Sequence, residues 1–265
     1  MTTGRIATVN QLTYNDLTSL FDGESCILVV KGFCPSETAE RLSSWLLGET
    51  RERYDHEVHA PSGVTYVYYG VDRVGIPFNK AFGEDERKKA YYAQAPIAIR
   101  AMRAACTPLL SPIDQLRLIL DEVWPDGAGI AAFEGKKMFA GIGRIMRSEN
   151  SPPSEIPHFD STSPRIVSLR AQIAANIYVE MPDIGGELEV WDVPPIPFGT
   201  PTPPEHGEDW RATLPEPIRV RPEIGDLVLF NAGCPHAIRR FSAGVRISVQ
   251  CFLGVRDGHR LDLWD

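Results

Sequence analysis

Long apolar runs and clusters of basic residues are both missing from this chain of 265 residues. No stretch approaches the roughly 20 apolar residues of a membrane helix, and the N-terminal residues form no apolar segment of signal-peptide length. The formal charge is −8, and lysine and arginine form no run, which argues against nucleic acid or an anionic membrane as the partner. The sequence therefore predicts a cytoplasmic protein that acts on a small molecule or another protein, and it leaves the oligomeric state open.

Paired cysteines are missing as well. The five cysteines are odd in number and scattered, without a C-x-x-C pair: Cys26, Cys34, Cys106, Cys234 and Cys251. A disulfide framework or a zinc site of the usual spacing needs a more regular pattern. We therefore expect reduced thiols packed in the core.

The first half of the chain is predicted to be mostly helical. An apolar run at 26–33 indicates a strand, and the next segment has the spacing of an amphipathic helix, with Ser36 as its N-cap and Gly48 as its end. A second strand is predicted at 64–70.

Two further helices are predicted before the middle of the chain. The first covers 84–105 and contains Pro96. The second begins at Ser111 and Pro112, because serine is a common N-cap and proline is favoured at the first helical position.

From about residue 138 the pattern changes to short β-rich runs separated by glycine and proline. The runs are MFAGIGRIM, RIVSLRAQIAANIYVEM, GELEVWDV, PIRVRP, DLVLFNAG and GVRISVQCFLG. Many short strands without intervening helices are typical of a sandwich or jelly roll. The expected fold is therefore mainly β with buttressing helices. The proline-dense segment from Pro194 to Pro217 is predicted to be a loop at the barrel mouth.

The length of the chain favours one elaborated domain over two. Within it, the helix-rich residues 1–137 are expected to support the core and cover the substrate. Residues 138–256 form the predicted β core, and residues 257–265 form a C-terminal tail.

A candidate metal site begins at PHFDST, where His158 and Asp160 stand two positions apart. In an extended strand these side chains point the same way, so two metal ligands would converge. The next histidine in a strand context is His236. Two histidines and one carboxylate form the facial triad of non-haem Fe(II) oxygenases, which leaves coordination positions open for a co-substrate and O₂.

A candidate anion site follows in VRISV, where Arg246 and Ser248 share one face of a predicted strand. A guanidinium and a hydroxyl together hold a carboxylate through charge-assisted hydrogen bonds. A co-substrate with two carboxylates is therefore predicted.

Together these pieces resemble the Fe(II)/2-oxoglutarate-dependent dioxygenases, whose core is a double-stranded β-helix, a form of jelly roll. The matching pieces span roughly residues 140–256 and stand in the order that the family shows: His158-Phe159-Asp160, Gly185-Gly186-Glu187-Leu188, PEIGDLVLFNAG at 222–233, His236, and Arg246-Ile247-Ser248. The resemblance implies Fe(II), 2-oxoglutarate and O₂ as cofactor and co-substrates, with release of succinate and CO₂.

Two further stretches are GIGRIMRSENSPPSEIPHFD, which leads into the metal motif, and the closing GVRDGHRLDLWD. Through them the chain is similar, within that superfamily, to the prolyl-hydroxylase-related group that includes the radical halogenases of indole alkaloids and free amino acids. In those halogenases a small residue replaces the carboxylate ligand so that chloride can bind iron. Asp160 occupies that position here. The resemblance therefore implies hydroxylation, desaturation or ring closure of an unactivated C–H bond in a small metabolite such as an amino acid or alkaloid.

The residues around the substrate are predicted less directly. Asn176 and Tyr178 share a strand face and are placed near 2-oxoglutarate, although the pattern fits equally an inward-facing Ile177 and Val179. A substrate contact is predicted for Phe78 and Asn79, in a covering loop at 70–83, and for Arg144, which is expected to meet an acidic group on the substrate. The pattern around Arg144 also fits a solvated strand residue.

Two other functions stay open from the sequence alone. One is hydroxylation of a protein side chain, as prolyl hydroxylases perform it. The other is a jelly-roll module that binds a carboxylated ligand without converting it. The complete triad together with Arg246 favours an enzyme over the binding module.

Overall fold

The computed structural model describes residues 5–60, 63–78, 85–150, 155–160, 169–197, 200, 208–256 and 260–265. Its helices are α1 (Tyr14–Phe21), α2 (Ser36–Gly48), α3 (Asp85–Cys106), α4 (Pro112–Val123) and α5 (Glu208–Thr213). Its strands are β1 (Ile6–Val9), β2 (Ile27–Val30), β3 (Glu52–Ala60), β4 (Gly63–Val74), β5 (Ala128–Ile130), β6 (Ala132–Phe133), β7 (Lys136–Lys137), β8 (Ile142–Arg147), β9 (Gln172–Glu180), β10 (Leu188–Val190), β11 (Ile218–Val220), β12 (Leu227–Asn231), β13 (His236–Ile238), β14 (Val245–Val255) and β15 (Leu261–Trp264).

Two facing sheets form the body of the molecule. The ten-stranded main sheet runs in the order β1-β2-β12-β9-β14-β8-β4-β3, with β15 joined to β14 and β5 to β15. The three-stranded minor sheet runs in the order β11-β10-β13. Along the chain, β9, β12 and β14 belong to the main sheet, and β10, β11 and β13 belong to the minor sheet. This is a jelly roll, and the predicted fold class is confirmed.

The central strands of the main sheet, β9, β12 and β14, are buried on both faces. On its outer face Ile177 and Val249 pack with Leu42 of α2 in one apolar cluster. On its inner face Phe230 packs with Leu188 of the minor sheet in a second cluster. Each large apolar side chain buried in this way stabilises the fold by roughly 1.5–3 kcal/mol. Burial of both faces explains why these strands read as nearly continuous apolar runs.

Some predicted helix boundaries are confirmed and one is wrong. Ser111 caps α4, because its hydroxyl accepts a hydrogen bond from the backbone N–H of Asp114. Ser36 was expected to cap α2 but is its first residue instead. The N-cap is Pro35, which makes no side-chain capping bond. The extended backbone of this proline brings the chain into the helix one position earlier.

The first half contains more strand than predicted. β3 was missed, and β4 extends beyond the predicted 64–70; the two pair as an antiparallel hairpin at the edge of the main sheet. The β3 sequence, ERYDHEVHA, is rich in charged and polar residues and has no apolar run. Such a composition is common in edge strands, where charge discourages further pairing.

The expectation of no helix in the β-rich half is also wrong. The short helix α5 lies inside the proline-dense segment, between β10 and β11. Arg211 of α5 forms an ion pair with Glu189 of β10, with 2.6 Å between Nη2 and Oε2. Because Glu189 is buried, this contact attaches α5 to the minor sheet. Such a long-range ion pair leaves no signal in the local sequence.

The cysteine prediction is confirmed, since all five thiols are free and buried. In the part of the chain that the structure describes, none of the helices has both the length and the apolar character needed to cross a bilayer.

Candidate active site

A short backbone pairing brings the two candidate histidine ligands together. His158 and His236 form an isolated antiparallel bridge next to the minor sheet. The N–H of His158 donates to the carbonyl of His236 at 3.0 Å, and the reverse bond measures 2.8 Å. Directly opposed residues project their side chains from the same face. The two ring centroids therefore lie only 4.3 Å apart.

The Nδ1 atoms of both imidazoles face backbone carbonyls. Nδ1 of His236 lies 2.9 Å from the carbonyl of Cys234, and Nδ1 of His158 lies 3.4 Å from the carbonyl of Ile156. A carbonyl only accepts, so Nδ1 is the donor in each contact. Each ring then presents the lone pair of Nε2 as a potential metal ligand, which is the usual arrangement in histidine metal sites.

Asp160 completes the group. Its backbone N–H donates to the carbonyl of Ala232 at 2.8 Å, which fixes the residue beside the turn before β13. One potential ligand atom from each of His158, Asp160 and His236 lies within 4.8 Å of the others. Oδ2 of Asp160 is buried and accepts no hydrogen bond from the described residues. It lies 3.6 Å from Nε2 of His236, beyond hydrogen-bonding distance.

The electrostatic surroundings keep Asp160 ionised. Burial alone would raise the pKa of its carboxyl group, but His236 and His158, when their rings are protonated, and Arg144 more than offset that effect, so the pKa lies well below its usual range. An ionised carboxylate whose buried Oδ2 has no hydrogen-bond donor among the described residues fits a divalent metal ion. The donor set of two imidazoles and one carboxylate is the one that non-haem Fe(II) sites use.

Arg246 lines the same cavity as the three candidate metal ligands. Hydrogen bonds hold its guanidinium in place. Its Nε donates to the carbonyl of Gly186 at 3.1 Å, and its Nη2 donates to the hydroxyl of Tyr178 at 3.1 Å. Its guanidinium also lies 4.9 Å from the centroid of the Tyr178 ring. Ser248 lies on the same face of β14 and is buried, and its hydroxyl has no hydrogen-bond partner within the described chain.

The backbone conformation explains why two glycines stand in the stretch Gly185-Gly186-Glu187-Leu188. Gly185 and Gly186 both adopt positive φ, at 83° and 75°. A Cβ on Gly185 would lie 2.5 Å from the carbonyl oxygen of Arg240, and one on Gly186 would lie 2.9 Å from Cγ of Pro182. Glycine alone fits this turn, which places the Gly186 carbonyl where Arg246 binds it.

The triad and Arg246 share one cavity of about 580 Å³, counted with its open mouth. Its remaining lining is largely apolar, with Phe230, Leu188 and Ile238 as walls.

The residues that line the cavity show which face of β9 points inward. Asn176 and Tyr178 line the cavity, whereas Ile177 and Val179 pack in the core on the outer face. Burial raises the pKa of Tyr178, although Arg246 and Arg144 oppose that shift. The phenol therefore stays protonated near neutral pH. Contact of Asn176 and Tyr178 with 2-oxoglutarate stays a prediction.

The three predicted substrate residues are placed differently. Arg144 lines the cavity. Phe78 is buried and packs edge-on against Tyr91 and Phe133, so it is not among the residues that line the cavity. Asn79 lies outside the described residues. Substrate contact by each of them stays a prediction.

Two polar residues near the metal group were missed. Gln250 lines the cavity and lies four positions after Arg246 on β14, so strand alternation would have indicated it. Asp265 is buried, and its carboxylate oxygens have no hydrogen-bond partner of normal geometry among the described residues, although the backbone N–H of Ile142 is near enough to lower its pKa. Burial raises the pKa of Asp265 to about 7, with Arg144 opposing and Asp160 adding to the shift. No local pattern indicated its position.

Comparison with solved structures identifies the fold. An N-substituted L-amino acid dioxygenase from Burkholderia ambifaria superposes with a TM-score of 0.59 at 14% identity, covering 95% of this chain and 91% of that one. A structure with that title in complex with α-ketoglutarate gives a TM-score of 0.56 at 13% identity, with 95% and 90% covered. The chain has the Fe(II)/2-oxoglutarate oxygenase fold.

The sequence comparison covers less of the chain than the structural comparison does. The chain is 29% identical over 162 residues to an L-γ-glutamyl-L-propargylglycine hydroxylase from Streptantibioticus cattleyicolor, covering 57% of this chain and 59% of that relative. The match thus spans less than two thirds of the relative. No family model matches the chain.

Proposed function

We propose that the protein is an Fe(II)- and 2-oxoglutarate-dependent oxygenase that hydroxylates, desaturates or cyclises a small metabolite such as an amino acid or alkaloid. The joint placement of His158, Asp160, His236 and Arg246 around one cavity carries this proposal. The sequence match to a hydroxylase of a γ-glutamyl amino acid supports a substrate related to amino acids.

When bound, iron with 2-oxoglutarate and O₂ supplies the oxidation of an unactivated C–H bond. For hydroxylation, each turnover consumes one 2-oxoglutarate and one O₂. One oxygen atom enters the product, the other enters succinate, and CO₂ leaves. The protein contributes by holding the reactants in position, which itself lowers the barrier.

Each residue of the site has a defined part in this proposal. His158 and His236 bind the metal through Nε2, and Asp160 binds it through a carboxylate oxygen. Arg246 and Ser248 hold the distal carboxylate of 2-oxoglutarate. The apolar walls exclude water, which strengthens these charged contacts.

Asp160 also supports insertion of oxygen over transfer of chloride. A carboxylate in its position fills the coordination site that a chloride ion would need. We therefore expect product mass to be independent of added chloride once a substrate is in hand, as mass spectrometry can test.

The first experiment is metal and co-substrate binding under anaerobic conditions. Protein with Fe(II) and 2-oxoglutarate is expected to show the weak visible charge-transfer band of their chelate. Loss of a partner outside the ligand set costs about 10–100-fold in metal affinity, so His158→Ala and His236→Ala should each cost more than that and remove the band. Asp183→Asn is the control, since Asp183 is exposed and should leave the band unchanged.

The second measurement separates an enzyme from a binding module. Free amino acids and small metabolites are screened for stimulated succinate release in air. Full iron binding by both histidine variants would refute the metal assignment. A normal band with no succinate release above the 2-oxoglutarate blank for any compound would instead support the non-catalytic module.

A further inference from the structure

Arg144 is a cation inside the cavity with part of its hydrogen-bonding capacity unused. It lies in the middle of β8, directly opposite Ser248 of β14 and Arg73 of β4. Its Nε and Nη2 atoms are buried and find no acceptor among the described residues. The guanidinium does lie 5.1 Å from the centroid of the Tyr54 ring, but a ring face does not replace the missing acceptors. Buried donors without acceptors are costly, so such groups commonly bind a ligand or water.

The carboxylates nearby do not meet this need. Asp160 belongs to the candidate metal group. Asp265 lies close enough for Arg144 to lower its pKa, and the backbone N–H of Ile142 lowers it too, yet its carboxylate oxygens accept no hydrogen bond of normal geometry from Arg144. Arg144 therefore lacks a carboxylate partner within the described fold.

A second donor in the cavity has the same need. Nε2 of Gln250 is buried without an acceptor in the described part of the chain. Gln250 lies on the cavity face of β14, next to the pair of Ser248 and Arg144. The cavity thus offers unused donors on Arg144 and Gln250. Its unpartnered oxygens are Oδ2 of Asp160, which belongs to the metal group, and the hydroxyl of Ser248, which can also donate. A ligand that complements the cavity is rich in acceptors and negatively charged.

A count of charges in the site with Fe(II) and 2-oxoglutarate bound indicates that this ligand is a molecule other than 2-oxoglutarate. The two positive charges of Fe(II) and the one on Arg246 are balanced by Asp160 and the two carboxylates of 2-oxoglutarate. The charge of Arg144 is not included in that balance. By strand register Arg144 is opposite Ser248, two residues or about 7 Å from Arg246 along β14, and Gln250 stands four residues or about 13 Å from Arg246. The groups proposed for the two anions are therefore offset along the strand.

Resting on the proposed function, we propose that Arg144 and Gln250 bind a carboxylate of the organic substrate. The substrate class is thereby narrowed to metabolites that carry a free carboxylate, and uncharged alkaloids are disfavoured. A bidentate contact from the guanidinium would orient this carboxylate. The position of the carboxylate would then determine which C–H bond lies nearest the metal.

The test uses a small fluorinated carboxylate as a probe. Protein loaded with Zn(II) and saturated with 2-oxoglutarate is titrated with 3,3,3-trifluoropropanoate and, separately, with 3,3,3-trifluoropropanamide, and binding is followed by ¹⁹F NMR. Because 2-oxoglutarate fills the Arg246 site, the probe reports on the remaining cation. We expect the carboxylate to bind at a single site about tenfold or more tighter than the uncharged amide.

Matched variants assign the binding to Arg144. Arg144→Gln keeps the length of the side chain without its charge and is expected to abolish the preference for the carboxylate, whereas Arg144→Lys should retain part of it. Arg147→Ala on the same strand is the control, because residues an odd number apart face opposite sides. Circular dichroism verifies that each variant is folded.

The outcomes separate this inference from the proposed function. Absence of probe binding, or equal binding by Arg144→Gln, overturns the inference. A loss of 2-oxoglutarate affinity in Arg144→Gln with unchanged probe binding also overturns it, because Arg144 then serves the co-substrate. Failure of the proposed function appears elsewhere, as absence of 2-oxoglutarate binding to metal-loaded wild-type protein. The probe titration is therefore repeated without 2-oxoglutarate.

Discussion

Two arginines on neighbouring strands line the same cavity, and their guanidinium groups are held in opposite ways. Arg246 on β14 donates to the Gly186 carbonyl and to the Tyr178 hydroxyl. Arg144 on β8 has two buried nitrogens without an acceptor among the described residues. The first is organised before any ligand arrives, whereas the second still needs an acceptor.

This difference indicates two kinds of ligand. A co-substrate that is the same in every turnover is served well by a rigid cation, because little ordering is needed on binding. A residue with unused donors gains more from its ligand, since binding also relieves the cost of buried donors. The contrast supports assigning Arg246 to 2-oxoglutarate and Arg144 to the substrate.

The largest effect is expected from replacing Arg246, the arginine assigned to 2-oxoglutarate. Arg246→Ala removes a buried cation from a charge pair, which costs on the order of 2–5 kcal/mol, or roughly 30-fold to several thousandfold in 2-oxoglutarate affinity. Metal affinity should stay nearly unchanged, because Arg246 is not among the candidate ligands. Anaerobic titration of the charge-transfer band measures both quantities.

Arg144→Gln is the matched comparison in that titration. It should leave the 2-oxoglutarate affinity nearly unchanged if the two arginines serve different ligands. Equal losses of 2-oxoglutarate affinity in the two variants would show that both arginines bind 2-oxoglutarate.

A smaller effect is expected at Asp265, the carboxylate near Arg144. Burial raises its pKa to about 7, partly opposed by Arg144 and Arg73 and increased by Asp160. This folded-state pKa lies above the unfolded value of about 3.9. The folded protein therefore binds more protons between about pH 4 and 7, and its free energy of unfolding falls as the pH rises through this window.

Asp265→Asn removes this titration. At about pH 8 the variant should be more stable than the wild type by up to roughly 4 kcal/mol, since the pKa is raised from about 3.9 to about 7 and each pKa unit corresponds to about 1.4 kcal/mol. The gain should shrink towards pH 4. Urea unfolding at both pH values checks this, with the exposed Asp183→Asn as the control. A gain that is independent of pH would show that Asp265 does not titrate as described.

The smallest expected effect concerns the support of Arg246. Tyr178→Phe removes the hydroxyl that accepts from Nη2 of Arg246 and leaves the ring in place. A single hydrogen bond contributes about 0.5–1.5 kcal/mol net, so 2-oxoglutarate affinity should fall only several-fold. Calorimetric titration of the metal-loaded protein measures it. A loss as large as that of Arg246→Ala would mean that the hydroxyl itself is a principal ligand contact.

The general fold and the candidate metal group were predictable from local patterns. Short apolar runs separated by glycine and proline indicate a jelly roll, and β9, β12 and β14 appear where those runs stand. The charged strand β3 and the helix α5 were not predictable in this way. β3 lies at a sheet edge, and α5 is attached through the buried Glu189, so tertiary contacts determine both.

By itself the sequence determined which side chains share a face. Alternation along a strand places Arg246 with Ser248, and Asn176 with Tyr178, whatever lies on either side. It did not determine which face of β9 lines the cavity. Only the tertiary structure decided that, because helices cover the outer face and the minor sheet lies over the inner one. The surroundings of Arg144 were likewise decided by packing, since Asp265 reaches them from a distant part of the chain.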